Sequence, residues 1–423
     1  MSEIDRIVIS GIGALTPLGA DINEHLAAHQ QGESCLRAKH ELPFLQGDVS
    51  ESNIKQWIPD KKSCRMLTRQ GLLGIASATL ALNKAQLSTS ELAEQDQLNG
   101  VIYGAFYSQG VLNAAQPYLN ALDNSDTIDY QAFGDRHYRE FPPLWILPRL
   151  PNTTGGQISI QYGLRGLSYS VVNGPAGGMI SVGEALECIQ DGRARRFVTG
   201  ASEMDPTIEQ LFALDQLGVL ATQTPSKAGL TISEAGVSFI VEPLALAQSR
   251  QVSNSIELVA YENSYIPHIL TLSEAELEQK VRAHFLRTLD KAELSPQEIS
   301  AIQLTMAGIP ALDQSEAKAT QQVFRATVPV LCATDYSGFA LGAAAATNLF
   351  YACLQLQHQY LAPVLNQAKK PLIGQLNYQQ KCQLDAGITT LFCHHIDHLG
   401  NQVSLILRTT AHHRAPHLKQ ELI

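Results

Sequence analysis

Charged residues are scarce in this chain: 17% of its 423 residues are Asp, Glu, Lys or Arg, against about 25% in an average soluble domain. The charge present leans acidic, with a formal net charge of −10. No long basic run interrupts it, which argues against nucleic acid or an anionic membrane as the main partner. No apolar run approaches the roughly 20 residues of a membrane-spanning helix. The opening Met1-Ser-Glu-Ile-Asp5 lacks the basic and apolar segments of a secretory signal, so a cytoplasmic protein is expected. Cys-x-x-Cys pairs are absent. The seven cysteines (Cys35, Cys64, Cys188, Cys332, Cys353, Cys382 and Cys393) are odd in number and irregularly spaced, which points to scattered reduced thiols rather than a disulfide framework. A Gly-x-Ser-x-Gly elbow is also missing, and with it the usual sign of a serine hydrolase.

What is present is a large apolar inventory, 45% hydrophobic residues, enough for a sizeable core. Strands are expected at Ile7–Gly13, Val101–Gly104, Tyr169–Val172, Arg196–Gly200, Ala301–Thr305, Val328–Leu331 and Val403–Leu407. Helices are expected at Asn23–Gln31 with Asn23 as N-cap, and at Arg65–Leu82, Ala176–Ile189, Glu274–Lys291, Ser315–Phe324 and Leu341–Leu356. This alternation predicts an α/β protein with mostly parallel pairing. Val171–Gly192 and Cys332–Gln355 share a pattern of strand, sharp turn and small-residue helix, which suggests an internal duplication. The division expected is 1–250, 251–410 and a loose tail at 411–423. From Tyr107 to Trp145 aromatics gather (Tyr107, Tyr118, Tyr130, Phe133, Tyr138, Phe141, Trp145), and burial of this excursion is expected.

Several segments together resemble the β-ketoacyl synthases. They are Arg6–Gly19 (RIVISGIGALTPLG), Arg65-Met-Leu-Thr-Arg69, Pro151–Gly166 (PNTTGGQISIQYGLRG), Gly200-Ala-Ser-Glu203 and Leu341-Gly-Ala-Ala-Ala345. Their order and spacing cover about residues 6 to 408. The resemblance implies a five-layered αβαβα thiolase fold of two similar halves, and a dimer pairing through the strand Leu167–Val172.

The resemblance also locates a catalytic apparatus, and this chain departs from it. The family carries a Cys thiolate on a strand-to-helix elbow, activated by the helix N-terminus. Here the elbow reads Ser170-Val-Val-Asn-Gly-Pro-Ala-Gly-Gly-Met179, and matching Gly178 and Gly183 puts Pro175 at the Cys. Proline has neither thiol nor N–H, so an oxyanion donor worth ~3 kcal/mol would go with the nucleophile. At the family's first His the nearest equivalent is Met306, with Asp313 and Glu316 following one residue early. The second His and its preceding Lys match Phe339 and Thr334. Met and Phe cannot donate the hydrogen bonds the imidazoles make. The expectation is therefore a non-catalytic partner resembling the chain length factors of type II polyketide systems, with aryl-polyene systems as a plausible context. An active ketosynthase subunit and, through it, acyl carrier protein are the partners; no cofactor and no metal are assigned. Phe106, Tyr107, Phe133 and Tyr169 are the candidates for the acyl tunnel or the interface.

Three other readings stay open. An unrecognised nucleophile would make the chain an active condensing enzyme, with Cys332 and Cys393 the thiols to check. A scaffold that only binds carrier protein is another. Cys393-His-His-Ile-Asp-His398 offers metal-ligand chemistry, though its spacing fits no zinc pattern; it is read instead as a glycine-poor loop before the last strand. His412, His413 and His417 are read as solvated tail.

Overall fold

The computed structural model describes residues 6–410 apart from 39–42, 61–66, 94–95, 107–111, 142–144 and 224–225. Tyr107, Cys64 and the tail with His412, His413 and His417 lie outside the described residues. Strand β1 (Ile7–Leu15) leads to helix α1 (Ile22–Gln31), then α2 (Arg69–Lys84), β2 (Asn99–Gly104), α3 (Thr153–Tyr162), β3 (Ser168–Val171), α4 (Gly177–Gln190), β4 (Arg196–Glu203) and β5 (Ala235–Pro243). The second series is β6 (Ile256–Tyr265), α5 (Glu274–Lys291), β7 (Ala301–Leu304), α6 (Pro310–Val323), β8 (Val330–Cys332), α7 (Ala344–His358), β9 (Thr390–Ile396) and β10 (Asn401–Thr409).

These strands join in the order β8-β7-β9-β10-β6-β1-β5-β4-β2-β3. Each half repeats one topology: first strand, fifth, fourth, second, third. In both, the first strand pairs antiparallel with the fifth and the fifth with the fourth, while the second pairs parallel with the fourth and the third. Both first strands carry an irregularity after their third residue, between Ile9 and Gly11 in β1 and between Leu258 and Ala260 in β6. The expected duplication is therefore a property of the whole sheet. The expectation of mostly parallel pairing is corrected. It holds only for the outer three strands of each half, because the fifth strand of each, β5 and β10, runs antiparallel to both its neighbours; of these two, the sequence marks no strand at β5.

Helices α2 and α3 cover one face of the first half and α4 the other; α7 covers the inner face of the second half, and α5 and α6 the outer. Helices α4 and α7 pack on each other, which completes the five αβαβα layers. Three large buried clusters fill the spaces, one between the two halves and one under the outer helices on each side, with a small fourth at Val8, Leu244 and Ala247. The middle layer is thin because its helices are built from small residues. A Cβ on Gly178 would lie 2.7 Å from the Ala346 Cβ and 2.8 Å from the Ala201 Cβ.

Two local expectations change. Helix α1 is capped by Asp21, not Asn23: the Asp21 carboxylate accepts the Asn23 N–H at 2.7 Å and Glu24 reaches back to the Asp21 N–H, a capping box. Nor is the aromatic excursion uniformly buried. Phe133 stacks on Tyr118 with ring centres 4.9 Å apart, and Phe141 stacks on Trp145 at 4.6 Å, yet Tyr130 and Tyr138 are exposed. The rings pack on each other rather than into the sheet.

Candidate functional site

Strand β3 ends at Val171 and the chain reverses into α4 through Asn173, Gly174, Pro175 and Ala176. Gly174 has φ +57°, and a Cβ there would meet Leu399 Cδ1 at 2.7 Å and the Phe106 ring at 3.2 Å, so only glycine fits. Pro175 follows in a single 3-10 turn, buried together with its two neighbours. At the start of a helix a missing N–H costs the fold nothing, and the turn closes through the Gly177 N–H onto the Gly174 carbonyl. No thiol stands on this elbow.

The elbow has a counterpart. In the second half a 3-10 turn at Leu341–Ala343 precedes α7, and the two turns pack together. Phe106, at the end of β2 and 7% exposed, sits between them: it touches the Gly174 side, and a Cβ on Gly342 would lie 2.9 Å from its own Cβ. The 397–401 turn closes the other side, where Asn401 Nδ2 donates to the Asn173 carbonyl at 3.2 Å.

The second-half positions converge on a cavity of about 10 Å³ lined by Thr305, Thr334, Ser337, Phe339, Asn348 and Tyr351, among others. That volume is at the limit for a single water. Phe339 is 2% exposed, and its ring stacks on His395 at 5.9 Å and 20°. The Thr334 hydroxyl donates to the Thr305 carbonyl at 2.7 Å. Met306 is buried but not on this wall; its neighbour Thr305 is. Met306 instead holds a positive φ of 42°, with its N–H donating to Glu316 Oε2 at 2.9 Å. The other Glu316 oxygen accepts from the Thr305 N–H at 3.2 Å and from His394 Nδ1 at 2.7 Å. Counting back from Asp313 and Glu316 was the sequence signal that pointed to 305.

Cys393, His394, His395 and Ile396 form the end of strand β9, all buried. This corrects the loop reading for these four residues; the turn begins only at Asp397, whose Oδ1 accepts the Leu399 N–H at 2.9 Å. Alternation along the strand turns His394 toward Glu316 and His284, and Cys393 and His395 the other way, so the group does not meet at one point. Burial holds the His395 ring nitrogens, which have no partner among the described residues, at a pKa of about 3. Among the described residues, Asp48, Asp205 and Glu234 do lie close enough to share an ion, but Arg69 already ion-pairs with Glu234 at 2.5 Å.

Of the tunnel candidates among the described residues (Phe106, Phe133 and Tyr169), Phe106 alone is placed at the elbow. Phe133 belongs to the aromatic excursion. Tyr169 lies on β3, half-buried, with its hydroxyl donating to Glu184 Oε2 on α4 at 2.6 Å. The two thiols that could replace a missing nucleophile are poorly suited to it. Burial pushes Cys332 up to about 11 and Cys393 well above the usual thiol value; both are shut away from solvent.

A family model described as "Beta-ketoacyl synthase, N-terminal domain" matches residues 4–246, and one described as "Beta-ketoacyl synthase, C-terminal domain" matches residues 267–368. The 3-oxoacyl-[acyl-carrier-protein] synthase 2 of Staphylococcus aureus strain COL is 24% identical over 385 residues, covering 86% of this chain and 89% of its own length. The 3-oxoacyl-[acyl-carrier-protein] synthase 1 of Haemophilus influenzae is 23% identical over 417 residues, 95% of this chain and 98% of its own. Among solved structures, a beta-ketoacyl synthase from Burkholderia phymatum superposes with a TM-score of 0.78 at 20% identity, over 96% of this chain and 100% of that one. The ishigamide ketosynthase/chain length factor does so with a TM-score of 0.78 at 19% identity, over 96% and 99%.

Proposed function

The chain belongs to the β-ketoacyl synthase family, and on that premise we propose that it is the non-catalytic half of a ketosynthase heterodimer, acting as a chain length factor in polyketide, aryl-polyene or fatty-acid-type synthesis. The observation that carries this reading is Pro175 at the tip of the elbow. An imino acid there can neither hold an acyl group nor offer an N–H to a developing oxyanion. Thr305, Thr334 and Phe339 support it: they fill the space where two imidazoles and a lysine would stand, and leave about 10 Å³. Thr305, one residue before Met306, is the position we assign to the first imidazole.

In this reading the partner subunit supplies the thiolate and both imidazoles, takes the growing chain from acyl carrier protein as a thioester with release of the carrier thiol, and condenses it with a malonyl unit that loses carbon dioxide, which frees the thiolate again. This chain completes the dimer and shapes the tunnel floor, with Phe106 the side chain best placed to do so. Among the described residues β3 is the edge strand with no partner on its outer side, and Val172 (50% exposed) and Ile160 (72%) expose apolar surface beside it. Such a surface suits the large apolar interface of an obligate pair, above ~2,000 Å².

A second reading, an active condensing enzyme, draws on the curated relatives, which are named as synthases. It requires a nucleophile among thiols whose ionisation burial opposes. One experiment separates the two. The chain, alone and with a ketosynthase bearing Cys-His-His, is incubated with malonyl carrier protein and with acyl carrier protein that bears a radiolabelled acyl group. Label is expected on the ketosynthase only, and product only from the pair; label on Cys332 or Cys393 of this chain, or product from the chain alone, would overturn the proposal.

A further inference from the structure

A cavity of about 690 Å³ opens at the far end of the molecule from the elbows. Helix α7 starts beside the second elbow and its last residues, Gln357 and His358, line this cavity; 15 residues of helix put the two ends about 22 Å apart. The cavity lies on a seam of the interior. Ile12 and Ile22 pack on the cluster between the halves, Trp57 on the cluster under the outer helices of the first half, and Val252 on the small fourth cluster. All four are only partly buried, and all four line the cavity. Three clusters thus leave apolar side chains unfinished around one space, which favours an occupant with an apolar side chain of its own.

The polar part of the wall suits a peptide. The Asn53, Gln56 and Ser253 side chains have no hydrogen-bond partner among the described residues. Amide and hydroxyl groups both donate and accept, as the alternating groups of an extended backbone require. Asp21 and Glu24 set two carboxylates against the single ammonium of Lys84. One segment of this chain starts at the wall. Thr409 pairs with Ile256, and the Thr410 hydroxyl donates to the Ser255 carbonyl at 2.7 Å. The chain therefore leaves β10 beside Ser255, and the residue before that serine, Asn254, already lines the cavity. Residues 411–423 follow; extended, they reach about 43 Å, enough for any point of the cavity. From Ala411 to Gln420 they carry Arg414, Lys419 and three histidines and no acid, which complements the excess of carboxylate. Pro416 holds the residue before it extended, and Leu418 supplies an apolar side chain.

We propose that the C-terminal segment 411–423 docks back into this cavity as an extended strap, with Leu418 on the apolar seam and its cations facing Asp21 and Glu24. The strap ties the two halves together at the end remote from the elbows and needs no partner subunit. Tethering makes the docking undemanding: a short tether gives an effective concentration of order 1 mM, so an affinity of about 0.1 mM for the free segment keeps it docked about nine-tenths of the time. Hydrogen exchange read by mass spectrometry at pH 7 tests this on the full chain, with the synthetic peptide Ala411–Ile423 as the undocked reference. The amides from 412 to 420 are expected to exchange about tenfold slower in the chain than in the peptide. Leu418→Asp is expected to return them to the peptide's rates and to quicken exchange at Val252–Asn254, with β4 unchanged. Ser253→Arg, at an exposed cavity position, sets bulk and a like charge against the strap and is expected to release it too. Peptide-like rates in the unsubstituted chain, or slow exchange that survives both substitutions, overturn the proposal.

Discussion

Pro175 suits the elbow as structure, and in the proposed reading it is what leaves the elbow without a nucleophile. Its ring fixes a φ that the first turn of a helix wants anyway, and its missing N–H is one the helix would leave unbonded. Replacing it by cysteine therefore tests chemistry at small structural cost. Pro175→Cys is expected to lose only about 0.5–1 kcal/mol, the unfolded-state entropy that proline removes, as read by urea denaturation. It is also expected to show no condensation with acyl and malonyl carrier proteins, because Thr305 and Phe339 still offer no imidazole. Recovery of product from that single change would mean these two positions were misassigned. Phe339 differs in kind. It is buried against His395, so Phe339→Ala leaves a real void and should cost about 3–5 kcal/mol in the same measurement. A loss below 1 kcal/mol would show that the ring is not packed as described.

At the scale of elements, the turn after β7 is tied to β9 by one carboxylate. Glu316, on α6, receives the Thr305 and Met306 N–H groups and His394 Nδ1, all in the interior. This tie holds Met306 at its unusual φ. Glu316→Ala would strand three buried donors, at about 1–3 kcal/mol each before relaxation, and the expected loss is about 3 kcal/mol or more with weakened amide protection in β7 and β9. Unchanged hydrogen exchange in those strands would show that Glu316 is not the tie. The elements themselves were read well where period and capping agree. Helix α5 begins and ends as expected, Glu274 to Lys291, because Ser273 caps it and its apolar spacing is regular. The sequence marks no strand at β5, and Cys393–Ile396 at the end of β9 reads there as a loop, since His and Cys suggest ligands more readily than a buried strand.

For the whole molecule, buried titratable groups set the pH dependence of stability, and they pull in opposite directions. Burial depresses His25 and His398 to about 4, His29 and His395 to about 3, and His284 well below its ordinary value. In the unfolded chain each takes a proton below ~6.5, so each contributes stability above that pH and loses it as pH falls toward the folded value. Asp313 and Asp397 are raised by burial to about 7 and about 6. They keep a proton that the unfolded chain gives up above ~4, so their contribution is present at low pH and is lost as pH rises through the folded values. Between pH 5 and 6 the five imidazoles outnumber the two carboxyls, and the melting temperature is expected to rise with pH across that window. A flat or falling profile in a thermal scan series would show that the histidines are not held neutral in the folded state.

The sequence alone determined the family, the α/β class and the composition of the elbow. These rest on local order: which residue follows which, and whether a proline or a cysteine stands in a given turn. For the first imidazole the sequence pointed to Met306, and only the folded chain put its neighbour Thr305 on the cavity wall instead. Only the tertiary structure decided what meets what. That His394 reaches Glu316, 78 residues earlier, and that Phe106 fills the gap between two elbows depend on elements brought together from distant parts of the chain. Contacts of that range come from the packing of two halves around one thin helical layer, and no window along the chain contains them.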